Sequence, residues 1–206
     1  MHHLDLGLFH YQIEYTRQLI KDQHGNSFVN EIDHRLATIP RFPGLKIFSN
    51  GIQSIARLTA SEYRDLMKVM LFVVDNLYNQ NTNNTEDYVE NKYLTSLYQN
   101  WNEMYIISKY EKFTENDLIK FQVWPSIIKW SQKFIRIFQN ISPSKLKLPK
   151  LHSWIYHIVD LIKSFGAING FTTETYESLH KEYVKIPYRL SNKKDIEVQL
   201  MKIVCI

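Results

Sequence analysis

The chain has one cysteine, Cys205, among 206 residues. A single thiol excludes an internal disulfide framework and any cysteine-based zinc site, which fits a reducing compartment, cytosol or nucleus. Glycine and proline are equally scarce, six of each. That leaves too few turn residues for an all-β fold of this length, so a mainly α fold is expected. No apolar run reaches the length of a membrane span, and the polar N-terminus does not read as a secretory signal. The expectation is a soluble, intracellular chain with no membrane among its partners. Also missing are a Gly-rich phosphate loop, a CxxC, a HExxH, a Gly-x-Ser-x-Gly elbow and any internal repeat.

What is present suits a globular core: 44% of residues are hydrophobic, and Tyr and Phe are plentiful. The formal net charge of +4 is unevenly placed. Residues 143–206 carry ten Lys and Arg against six Asp and Glu, an excess that accounts for the whole of it. A cationic last third hints at an anionic partner such as nucleic acid.

Helical periodicity runs through most of the sequence. Phe9, Ile13, Thr16 and Ile20 predict a helix from Leu8 to about Gln23, ended by Gly25. Asn26 or Ser27 is the expected cap of a second helix carrying Phe28, Ile32 and Leu36. Ile39 to Leu45 reads as a Pro-rich turn with Phe42 tucked inward. Thr59-Ala60-Ser61-Glu62 is a capping box, followed by the clearest apolar stripe: Tyr63, Leu66, Met67, Met70, Val73, Val74 and Leu77. Asn79 to Thr85 reads as an exposed loop, and Asp87 to Tyr110 as a tyrosine-rich helix. Its aromatic face could stack single-stranded bases, but few Lys or Arg interleave, so it reads as core.

Thr114 with Asp117 caps a segment that Trp124-Pro125 interrupts. The next helix carries Ile127, Trp130, Phe134 and Phe138, with Lys129, Lys133 and Arg136 as a solvated face. Residues 142–150, basic and flanked by prolines, are the expected linker. A helix from Leu151 to Phe165 follows, with Phe165 inward and Gly166 as its stop. His152 and His157, five apart, do not share a face. A last helix, capped by Ser191, carries Ile196, Leu200 and Ile203.

Gly170 to Lys194 holds the residues with most chemistry. Thr172 and Thr173 can cap a helix on which Glu174, Glu177 and Lys181 line one face, with His180 beside Glu177. A carboxylate next to a histidine could serve as a metal or acid/base site. It could equally be solvated helix surface, and spacing alone favours the latter.

Three stretches in order resemble one family. They are Met1-His-His-Leu-Asp-Leu-Gly-Leu-Phe9; Ile39-Pro-Arg-Phe-Pro-Gly-Leu-Lys-Ile-Phe48 with Gly51-Ile52 and Glu62-Tyr63; and Pro149-Lys-Leu-His-Ser-Trp154 through Phe165-Gly166 and Thr173-Glu-Thr-Tyr-Glu-Ser-Leu-His180 to Ser191-Asn-Lys-Lys194. Their order and spacing are similar to the C-terminal half of Plavaka-type transposases. These belong to the Kyakuja–Dileera–Zisupton group, related to CACTA elements and abundant in fungal genomes.

The resemblance implies an RNase H-like core whose Asp-Asp-Glu triad holds two Mg²⁺ ions for DNA cleavage and strand transfer. Two such ions clamp the attacking and leaving oxygens of an in-line displacement. The family's Thr-Glu-x-x-Glu-x-x-His pattern falls on Thr173, Glu174, Glu177 and His180. Glu177 is then the first choice of acidic ligand and Glu174 the second, while His180 would orient the carboxylate or contact a phosphate. The family's Asp-x-x-His element ends on His2, which makes His2 a metal-site candidate beside Glu177 and places its Asp ahead of Met1.

On this reading residues 1–148 are a helical, insertion-like domain and 149–206 a C-terminal helical segment bearing the glutamate. Most of the catalytic sheet is then absent, and the chain alone is expected to be inactive. Its partners would be DNA and the missing N-terminal half or other transposase subunits, and its location nuclear, with cytoplasmic as the alternative. A second reading is a non-catalytic helical module that binds nucleic acid through Lys145, Lys147, Lys150, Lys181, Lys185, Arg189, Lys193 and Lys194. A third is a structural remnant without a selected activity.

Overall fold

The computed structural model describes residues 3–52, 58–79, 88–122, 127–172 and 179–204. The fold is mainly helical, with no strand among the described residues. A wide π-type turn, Leu4–Phe9, runs straight into α1 (His10–His24). α2 (Asn26–Thr38), α3 (Ala60–Val74), α4 (Asn91–Ser108), α5 (Glu115–Gln122) and α6 (Ile127–Phe138) follow. After them come α7 (Pro149–Tyr156), α8 (Ile158–Phe165) and the short α9 (Ile168–Phe171). Beyond residue 179, a second π-type stretch, Lys181–Lys185, leads into α10 (Ile186–Leu190), and α11 (Ile196–Val204) closes the described chain.

The bundle is organised around α4. It packs on α6 along one side and on α3 along the other, while α1 and α2 pair across Gly25. Gly25 lies at φ +81°, a conformation that costs a glycine little and turns the chain between the two helices. Neither Asn26 nor Ser27 caps α2: the helix begins at Asn26 with Gly25 in the cap position and no side-chain cap bond.

The Leu4–Phe9 turn, which carries no recognisable sequence signal, sits in the middle of the core. Leu4, Leu8 and Phe9 are buried against α3 and α7. Phe9 stacks on Trp101 at 5.2 Å and meets Tyr63 and Tyr98 edge-on. Trp101 in turn contacts Trp130, which contacts Phe134. Each such ring removed from water contributes roughly 1.5–3 kcal/mol, so this aromatic column dominates the bundle's stability.

Polar groups within the core are linked across the sequence. Tyr98 Oη donates to Thr16 Oγ1 (3.0 Å), Thr16 Oγ1 donates to the Gln12 carbonyl (2.7 Å), and Trp130 Nε1 donates to Gln12 Oε1 (2.8 Å). Burial pushes the Tyr98 hydroxyl far above its ordinary value, so it acts as a neutral hydrogen-bonding group.

Local signals hold where they are short-ranged. The Thr59–Glu62 capping box is complete: Thr59 Oγ1 accepts from the Glu62 amide, and Glu62 Oε2 accepts from the Thr59 amide at 2.7 Å. Thr114 and Asp117 form the same reciprocal pair. Gly166 stops α8 at φ +85°.

Other expectations fail for tertiary reasons. Phe42 is 70% exposed, and Phe48 is buried in its place. Phe165 is 66% exposed, because the expected single helix breaks at His157 (φ −117°) into α7 and α8 and its last turn swings off the core face. The same break brings the His152 and His157 rings to 5.2 Å, although a continuous helix would hold them apart. Residues 142–148 are a packed turn rather than a free linker. Ser142 and Leu146 are buried, and Ser142 Oγ lies 3.1 Å from Tyr15 Oη. Leu151, Trp154, Ile158 and Ile162 beyond that turn share one core with α1, α4 and α6.

The loop expected at Asn79 to Thr85 lies, but for Asn79, outside the described residues. So do Asp87 and the interruption at Trp124-Pro125. The tyrosine-rich helix expected from Asp87 begins only at Asn91, because Tyr88 to Glu90 are not helical and Glu90 is extended in the cap position.

Candidate functional site

Residues 179–204 differ in kind from the bundle. The Lys181–Lys185 stretch, α10 and α11 pack chiefly against one another. Pro187 is the one fully buried residue described in this segment, and Leu190 is 80% exposed. Ser191 does not cap α11. Its hydroxyl donates to the Tyr188 carbonyl at 2.8 Å and closes α10. The turn before α11 is instead held by Asn192 Oδ1, which accepts from the Lys194 amide (3.0 Å) and from Gln199 Nε2 (2.6 Å).

Lys181, Lys185, Arg189, Lys193 and Lys194 all lie exposed on this unit. Among the described residues none of them makes an ion pair. Cations left unpaired on a surface that contributes little to the core are available to a polyanion. Lys145, Lys147 and Lys150 are also exposed but belong to the bundle, on the turn into α7. Lys150 has a structural task there: its carbonyl accepts from His3 Nε2 at 2.7 Å, and its aliphatic stem covers Gly7.

Of the acid/histidine motif, His180 is exposed at the start of this C-terminal unit. Glu174 and Glu177, like His2 at the other end, lie outside the described residues. Among the described residues no group of three His, Cys, Asp or Glu could hold a metal ion. No helix among them is long and apolar enough to cross a membrane.

Two titratable groups, one buried and one half-buried with its ring nitrogens shut off from water, escaped the sequence reading. Asp5 is fully buried, and its Oδ1 accepts from Tyr105 Oη at 3.0 Å while Arg64 Nε stands 3.9 Å from Oδ2. Burial raises its carboxyl above the usual range, against the pull of Tyr105 and Arg64. An apolar residue pair, Leu4 and Leu6, on either side of Asp5 gives no hint of this. His24, which ends α1, packs among Phe28, Tyr78 and Tyr88, with ring centroids at 4.9, 4.4 and 5.8 Å. Both of its ring nitrogens are buried without a hydrogen-bond partner, and burial holds the imidazole below its ordinary pKa.

His24 is therefore neutral when folded and becomes protonated more readily when unfolded. The unfolded state binds more protons between the lowered folded value and about 6.5, so stability is lost as pH falls through that window. His24→Phe is expected to flatten this part of the pH profile. It should also raise stability at pH 7 by about 1 kcal/mol, because two desolvated polar atoms disappear from an aromatic cage. Urea denaturation at pH 7.5 and pH 5.5 measures both effects. His3, shifted in the same direction by burial, retains its own share of the slope in the variant.

No protein-family model, no curated protein and no solved structure matches this chain.

Proposed function

We propose that this chain is a DNA-contacting helical module of transposase type, which grips the phosphate backbone through Lys181, Lys185, Arg189, Lys193 and Lys194. The observation that carries the reading is the C-terminal unit itself: five exposed cations that make no ion pair among the described residues, on a segment whose described residues bury little but Pro187. A surface charge that neither pairs nor packs contributes little to folding and stands open to a polyanion. The ordered motifs shared with Plavaka-type transposases supply the choice of DNA as the polyanion.

In this reading Mg²⁺-dependent cleavage and strand transfer belong to the complete Asp-Asp-Glu set, to which Glu177, or else Glu174, contributes one carboxylate. The remaining acids come from another part of the transposase or another subunit, and the chain alone cuts nothing. Its place is the nucleus, where its target lies, with the cytoplasm as the alternative. A non-catalytic nucleic-acid or interaction module of other descent would use the same cations and is the second reading.

Fluorescence anisotropy with a short labelled duplex tests the binding. The logarithm of affinity should fall linearly with the logarithm of salt, with a slope of about −0.9 for each phosphate contact. Replacing Lys193 by Gln should make that slope shallower by about 1. Absent binding at low salt, or binding that salt does not weaken, would sink the proposal. A nicking assay with Mg²⁺ tests the rest: strand cleavage that disappears in Glu177→Ala would contradict an inactive chain.

A further inference from the structure

The seam between α1 and α6 opens into a groove of about 920 Å³, within the range of roughly 300–1,000 Å³ typical of small-molecule sites. Leu19 and Ile137, both buried, form its apolar floor. Lys133 and Arg136, one helical turn apart on α6, stand along one wall. Glu14 and Asp22 stand on the α1 side. Sequence spacing left Lys133 and Arg136 on a solvated face. In the folded chain they instead border a groove with an apolar floor.

The two walls are not equivalent. Asp22 accepts from Gln18 Nε2 at 2.7 Å, and Glu14 lies 3.5 Å from His10 Nε2. On α6, Lys133 Nζ donates to the neutral Ser96 hydroxyl, and the Arg136 guanidinium rests 5.4 Å from the centre of the Tyr93 ring. Neither cation makes an ion pair among the described residues. Partial burial and the nearby Lys129 lower the basicity of Lys133, against the pull of Glu103. Lys133 and Arg136 thus present two cations, held by a hydroxyl and a ring face, beside the apolar floor.

We infer that this groove binds a small amphipathic monoanion, a carboxylate held by Lys133 and Arg136 with its aromatic or aliphatic body on Leu19 and Ile137. Glu14 and Asp22 across the groove select against polyanions. A nucleic-acid backbone or a polyphosphate would bring several charges against them, whereas one carboxylate can stay on the α6 side. The site is thus distinct from the C-terminal cations and does not depend on their binding DNA.

Isothermal titration with 2-naphthoate and decanoate, alongside 2-naphthamide and inorganic phosphate, tests this. At least one of the two carboxylates should bind, and 2-naphthamide should bind about tenfold more weakly than 2-naphthoate, the effect of losing one charge-assisted contact. Naphthoate alone, decanoate alone, or both would tell which body the floor accepts. Lys133→Gln and Arg136→Gln should each weaken the carboxylate about tenfold, while Asp22→Gln should strengthen it and Lys193→Gln leave it unchanged. Circular dichroism and the urea midpoint establish that each variant is folded. The inference is overturned if neither carboxylate binds at millimolar concentration, if 2-naphthamide matches 2-naphthoate, or if inorganic phosphate binds more tightly than both carboxylates.

Discussion

Trp130→Ala is expected to lower the stability of the bundle by about 4 kcal/mol, the range for truncating a fully buried tryptophan. Trp130 is 0% exposed and lies between Trp101 (5.1 Å) and Phe134 (5.0 Å), so its loss breaks the aromatic column at its centre. The Gln12 Oε1 acceptor would also lose the indole donor at 2.8 Å, deep inside the core. An unfilled acceptor there adds its own desolvation cost. Trp130→Phe keeps a ring in the column and should cost less than half as much. Urea unfolding followed by far-UV circular dichroism separates the two. A shift below about 1 kcal/mol for the alanine variant would mean that the column does not hold the bundle together.

Asp33→Ala should cost roughly 2–3 kcal/mol, because one carboxylate serves three donors. Arg17 donates to it twice, at 2.7 and 3.3 Å, and the Ile52 amide donates at 2.9 Å. Through it the irregular segment after α2 is tied back to α1 and α2. Gly51, next to Ile52, sits at φ +65°, and a Cβ there would fall 2.3 Å from the Asp33 side chain. Gly51→Ala should therefore destabilise by roughly 2 kcal/mol, combining left-handed backbone strain with a clash that displaces the Asp33 carboxylate. Asp33→Asn, which keeps the shape but not the charge, is expected to fall between wild type and alanine. Urea midpoints rank the series, and limited proteolysis should show earlier cleavage in residues 39–52 for both alanine variants.

The features legible in the sequence are those whose cause lies within a few residues. The capping boxes at Thr59 and Thr114 work through backbone amides three positions away. The stripe from Tyr63 to Val74 buries every residue it picked out, because one helix face meets one core, and Leu77, beyond the end of α3, is buried as well. Ile127, Trp130, Phe134 and Phe138 do the same on α6. The misread features depend on tertiary packing rather than on local spacing. Phe42 yields its inward place to Phe48, and the apparent linker is anchored by Tyr15, 127 residues before Ser142.

The charge distribution was legible in the same partial way. The excess of Lys and Arg after residue 143 is a matter of counting, and the exposure of the eight basic residues agrees with it. Their division between the bundle turn and the C-terminal unit required the fold. The break at His157 shows the same limit. Spacing assumes a continuous helix, whereas packing of α8 onto the core ends one helix and begins another.

By itself the sequence determined a mainly helical chain, the positions of its best helices and caps, and a cationic last third. It did so because helical period, cap chemistry and glycine backbone freedom act locally. Only the tertiary structure decided which distant side chains meet: Asp5 with Tyr105, Gln12 with Trp130, and the α1 and α6 walls of the groove. Those pairings span a hundred residues or more, and they are set by how whole helix faces pack rather than by any spacing along the chain.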